Sequence, residues 1–185
     1  PLNTIHWKAT ARTGSLHVKT YEPSSVVGGT LILDLHEDSY LPEKKEERIE
    51  LAITTTASIA YLLQMSGEQV GMITNARDAA EVAKYEVEMQ QRLTREDVDE
   101  SVEGEDESTR ISPLSVATVR TPIQAQKIAE NLARVLPGHG LDAERMILSE
   151  FRDLPRDAAL LPVVPQVSES LALTLGSMKL TGFNV

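Results

Sequence analysis

Val26-Val27-Gly28-Gly29-Thr30-Leu31-Ile32-Leu33-Asp34-Leu35-His36-Glu37-Asp38-Ser39 is the stretch whose reading decides the fold. A short apolar run rich in branched side chains, roughly Thr30 to Leu35, ends on an acidic loop. A long helical pattern follows from Lys44. That order predicts a buried strand that carries a loop to the carboxyl edge of a parallel sheet. Open α/β sheets bind ligands and partners at that edge, so a working surface is expected there.

Outward from this stretch the pattern repeats. From Glu43 to Met65, residues Ile49, Ala52, Ile53, Thr56, Ala60 and Leu63 fall on one helical face. Leu51, Ile59 and Leu62 widen that stripe, which predicts a helix covered on more than one side. Glu43, Glu46 and Glu47 suit the positive end of its dipole, and Ser66-Gly67 supplies a stop. Gln69 to Thr74 reads as a second buried strand, giving a βαβ unit with a right-handed crossover. Asn75 to Lys84 reads ambiguously.

Further along, order resumes near Ser115, and Thr121-Pro122 opens a helix with Ile123, Ile128, Leu132 and Val135 on a broad face. Leu141 to Arg152 predicts another helix, and Ala158 to Val164 a third buried run with Pro162 marking a strand end or edge. Ser168 caps a helix to Met178, and Thr181 to Val185 is expected to form a terminal strand. Before the central stretch, Leu16 to Tyr21 alternates as an edge strand would. The predicted organisation is an N-terminal segment over 1–25 and an α/β domain over 26–185.

The 185 residues suffice for one substantial core. Aromatic residues are only 4%, so that core relies on Leu, Ile, Val and Ala, and stacking platforms for nucleic acid are scarce. A net charge of -10 repels phosphate backbones and anionic lipid surfaces, which argues against nucleic acid as a partner. Much of the charge lies between Glu96 and Glu107, within a polar region at about 86–112. Its core, about Thr94 to Arg110, is expected to be a flexible acidic insertion, because so few apolar groups cannot offset ordering entropy. The absence of cysteine excludes disulfides, thiolate zinc sites and a cysteine nucleophile. No apolar run reaches the roughly 18 residues of a membrane span.

Ile5-His6-Trp7-Lys8-Ala9-Thr10-Ala11-Arg12 resembles the signature of the bacterial domain of unknown function 58 family. The alternating strand, the apolar strand ending in Asp, the helix near Glu47-Arg48 and the Gln69-Val70-Gly71 strand follow in the same order. The resemblance is good from Pro1 to Thr74, thins through the acidic region and continues weakly after Thr121. It implies a three-layer α/β fold with a mostly parallel sheet flanked by helices, like von Willebrand factor A domains and Rossmann-like in outline. It also implies a membrane anchor upstream, a place on the cytoplasmic face of the membrane, and a gene neighbour encoding a MoxR-type AAA+ ATPase. The implied role is a protein-interaction module in assembly or maturation of other complexes.

Von Willebrand factor A domains that bind a cation through a metal-ion-dependent adhesion site carry Asp-x-Ser-x-Ser, with a later Thr and Asp. Divalent cations want oxygen ligands at about 2.0–2.6 Å, which small hydroxyls supply. Here the matching positions are Asp34, His36 and Asp38; Thr118 or Thr121 is the candidate Thr, and Pro165-Gln166-Val167 stands where the later Asp is expected. The site therefore reads as degenerate, with no cofactor expected beyond weak Mg or Ca affinity at Asp34. Asp34, His36, Glu37, Asp38 and Ser39 are the expected contact surface for a protein partner. The rival reading is a Mg-dependent hydrolase or phosphotransferase using Asp34 and Asp38.

Other chemistry finds less support. Gly28-Gly29 precedes its strand, whereas a phosphate cradle needs glycines after one, so a P-loop or dinucleotide fingerprint is rejected. No Ser lies in a Gly-x-Ser-x-Gly elbow. His6, His17, His36 and His139 are scattered and read as surface or turn residues. Trp7 is expected to pack onto the sheet margin, with Lys8 and Arg12 solvated.

Overall fold

A computed structural model describes residues 5, 7–17, 27–84, 87 and 113–185. In chain order the elements are α1 (Trp7–Thr13), β1 (Gly29–Leu33), a 3-10 turn (Glu37–Ser39), α2 (Lys45–Met65), β2 (Val70–Thr74) and β3 (Arg77–Asp78). Helical backbone continues over 79–84 (α3). Then come β4 (Leu114–Val119), α4 (Gln124–Leu132), β5 (Val135–Leu136), α5 (Ala143–Ser149), β6 (Ala159–Val163) and α6 (Glu169–Leu180).

The main sheet has the order β4-β2-β1-β6. β1 lies inside it, parallel to β2 on one side and to β6 on the other, and β2 pairs antiparallel with β4. All five residues of β1 and of β2 are buried, as expected of parallel strands covered on both faces. Alternation sends Leu31 and Leu33 into a core with Met72, Ile49, Ala60, Ile128 and Leu132. Ile32 and Ile73 point the other way, against Met146, Ile147, Leu160, Leu171 and Met178. Helices α2 and α4 thus cover one face and α5 and α6 the other. The result is a three-layer α/β fold with a mostly parallel sheet.

Several local expectations change. Residues 7–13 form a helix with no buried residue, and Trp7 is 60% exposed instead of packed on the sheet. Leu16 and His17 are exposed and belong to no strand, while the rest of the predicted edge strand lies outside the described residues. So does the predicted acidic insertion between residues 88 and 112. Leu51 and Leu62 do not widen the core face of α2, each being 64% exposed. Ile123 is exposed, and Val135 has left the helix for β5. Thr181 to Val185 forms no strand; a single parallel bridge joins Asn184 to Ala159. Pro162 does stand on an edge strand, beside Ile32 of β1.

Candidate functional site at the carboxyl edge of the central strand

β1 delivers Asp34 and Leu35 just past its last ladder residue, and both stay buried. Asp34 Oδ1 accepts hydrogen bonds from the Asn75 side-chain amide (2.7 Å) and from the His36 backbone (3.0 Å). Asn75 follows β2 as Asp34 follows β1. Its carbonyl accepts from the Leu35 N–H at 2.7 Å, and its amide also donates to the Leu141 carbonyl at 2.8 Å. One side chain therefore ties together two strand ends and the loop before α5. Tyr40 completes the arrangement, its buried hydroxyl donating to the Asp34 carbonyl at 2.7 Å. Burial, and secondarily the Asp34 carboxylate, push the Tyr40 phenol well above its ordinary range.

The next residues turn outward. His36 caps the 3-10 turn, its Nδ1 accepting from the Asp38 N–H at 3.3 Å. Its backbone bridges to Gly138, where Glu37 N–H donates to the Gly138 carbonyl at 3.0 Å. That contact brings His139 to the rim. Its ring stands edge-on to His36 with centroids 6.0 Å apart, 3.5 Å from an Asp38 oxygen and 3.8 Å from a Glu37 oxygen. Glu37 is also held by Lys45 at 2.8 Å, at the start of α2. The Lys45 hydrogen bond, reinforced by His139 and Arg77, outweighs desolvation and keeps the Glu37 carboxyl below its usual range.

His36, Glu37, Asp38 and Ser39 are thus placed at one rim; Asp34, expected with them on the contact surface, is instead buried beneath it, and Thr118 lies elsewhere. Its hydroxyl lies 2.7 Å from the Thr30 hydroxyl, near the opposite end of β1. The alternative, Thr121, donates to Gln124 at 3.2 Å on the approach to α4. Thr118 as a completing ligand is therefore corrected: β4 runs antiparallel to β2, and its register puts Thr118 beside the amino edge. Asp34 Oδ1 is engaged inward, by Asn75 and the His36 backbone, and His36 Nδ1 is engaged in its own turn. Among the described residues, no group of three or more His, Asp or Glu side chains could hold a metal ion.

Asn75, Tyr40, Lys45 and His139 escape the sequence reading of the site. Asn75 carries a usable signal, a polar amide directly after a buried strand, in step with Asp34 after its own. The other three are brought in by the turn and by the Gly138 bridge, which no spacing announces.

A family model described as "Protein of unknown function DUF58" matches residues 2–108, more than half of the chain. No curated protein and no solved structure matches.

Proposed function

Since the chain belongs to the DUF58 family, we propose that it is a non-catalytic protein-interaction module with a degenerate metal-ion-dependent adhesion site. Its contact surface is the rim formed by His36, Glu37, Asp38 and Ser39, with Asp34 as the internal post that holds the rim in shape. The partner is a protein, of which a MoxR-type AAA+ ATPase is the specific candidate, in complex assembly or maturation. The full-length protein would work from the cytoplasmic face of a membrane through an upstream anchor. Among the described residues, no helix is long and apolar enough to cross a membrane.

The observation that carries this reading is the commitment of the Asp34 carboxylate to Asn75 and to the His36 backbone. A carboxylate that braces a loop holds neighbouring side chains for recognition and has less capacity left for a cation. The test is a thermal melt with and without Mg²⁺, Mn²⁺ and Ca²⁺, alongside capture of a purified MoxR-type ATPase by the wild type and by Asp38→Ala. We expect melting to be indifferent to metal and capture to weaken in the variant. A cation present at 100 times its dissociation constant would add about 2.7 kcal/mol, so a clear metal-dependent rise would overturn the degenerate-site reading. Metal-dependent phosphoester turnover lost in Asp34→Ala would favour the hydrolase instead.

A further inference from the structure

We propose that α1 is a contact for an anionic lipid surface, a role of the chain itself that is separate from the rim and from any upstream anchor. Trp7 and Ala11 stand one helical turn apart, and beside them Lys8 and Arg12 do the same, so the four share one side of α1. All four are exposed, Trp7 by 60%. The other side carries Thr10 and Thr13 and is already used. Gly14, at a φ of 70°, turns the chain back. The His17 N–H then donates to the Thr10 hydroxyl at 3.1 Å, and the His17 ring lies 2.7 Å from the Thr13 hydroxyl. The helix is thus braced along one side and presents an aromatic ring and two cations on the other. Among the described residues neither Lys8 nor Arg12 has an ion-pair partner.

Charge and ring together choose the occupant. Residues 1–21 hold Lys8, Arg12 and Lys19 without a single Asp or Glu, in a chain whose net charge is -10. An anionic surface attracts this basic end and repels the acidic remainder, which orients the molecule; salt confines both forces to about 8–10 Å. An indole suits the boundary between headgroups and acyl chains, its ring among apolar groups and its N–H wet. Cations beside it meet the lipid phosphates. A single-stranded nucleic acid instead asks for a row of stacking rings in a basic groove. Trp7 is the one tryptophan of the chain and the one aromatic side chain of α1. One ring and two cations make a weak, reversible contact, of the kind that holds firmly only beside a second membrane signal.

The single tryptophan makes the test direct. Vesicles of phosphatidylcholine with phosphatidylglycerol should shift Trp7 emission to shorter wavelength and carry the 185-residue chain down on centrifugation. Vesicles of phosphatidylcholine alone should do neither. Lys8→Gln and Arg12→Gln should each lower the partition coefficient about fivefold, and added salt should release the chain. Trp7→Ala should lower sedimentation with the anionic vesicles. Lys127→Gln makes the same charge change on an exposed side chain of α4 and should leave partitioning unchanged. With no residue of α1 buried, the α1 variants should melt with the wild type. Absence of both the shift and the sedimentation overturns the proposal. So does a loss in Lys127→Gln equal to that in Lys8→Gln, which would make net charge the cause. Equal capture by single-stranded DNA or by a poly-glutamate peptide also overturns it, since α1 would then take any polyanion.

Discussion

The two ends of the same sheet are closed in different ways. At the amino end the backbones come together because side chains are missing. A methyl group on Gly28 would overlap the Gln69 carbonyl, and one on Gly71 would overlap Thr118. At the carboxyl end the strands are joined by side chains, through Asp34, Asn75 and Tyr40. The first closure leaves no space for a side chain at Gly28 or Gly71. The second holds buried polar atoms in fixed positions and leaves His36, Glu37, Asp38 and His139 facing outward. The difference teaches that the amino end is built for close packing and the carboxyl end for presenting groups.

The sharpest way to break this comparison is at the amino end. Gly28→Ala adds an atom where the backbone already fills the space, at a φ of 81° that side chains resist. It should cost about 3 kcal/mol or more of unfolding free energy in a urea titration. A neutral result would mean that the close approach of Gly28 and Gln69 is not structural.

Next comes the side-chain closure. Asn75→Ala removes one of the two partners of Asp34 Oδ1 and the partner given to the Leu35 N–H and to the Leu141 carbonyl, at a largely buried junction. Unpaired groups of this kind cost about 1–3 kcal/mol each where water cannot reach them, so a loss of about 2–4 kcal/mol is expected after relaxation. Amide hydrogen exchange should accelerate at Leu35 before it does at Leu31. Equal acceleration at both would deny that the carboxyl end is a separate lock.

The smallest effect belongs to the rim. The Glu37 carboxyl is held low mainly by the Lys45 hydrogen bond. The associated stability is fully present above the ordinary carboxylate value of 4.5 and is lost as pH falls through the lowered folded value. Lys45→Met should raise the Glu37 pKa toward that ordinary value, as read by NMR titration. The pair is partly solvated, so the change in overall stability should stay below about 1 kcal/mol.

Much of the frame is legible from residues alone. Short apolar runs at Thr30–Leu35, Gln69–Thr74 and Ala158–Val164 become the three parallel strands; the first two yield β1 and β2, buried along their whole length because both faces are covered. Ser168 also caps its helix as read, its hydroxyl accepting from the Leu171 N–H at 3.0 Å. The site is less legible. Asp34 marks the right edge, but its work depends on Asn75, 41 residues later, and on Tyr40 folding back over it. Thr118 shows the opposite failure, since a common residue gains meaning only once strand direction is known. Trp7 fails for a third reason. A lone aromatic with basic neighbours gives no hint of whether anything nearby will cover it.

Pro162 has a consequence for how this molecule behaves in a crowd. The Ala159 N–H points inward to Gly28, and the Leu160 N–H points outward to the Asn184 carbonyl. Alternation therefore turns the nitrogen of Pro162 outward too, and it has no hydrogen to give. The rim of β6 offers a passing strand one donor already spoken for and one that does not exist. A greasy, otherwise adhesive border is thereby made a poor template for runaway stacking into fibres.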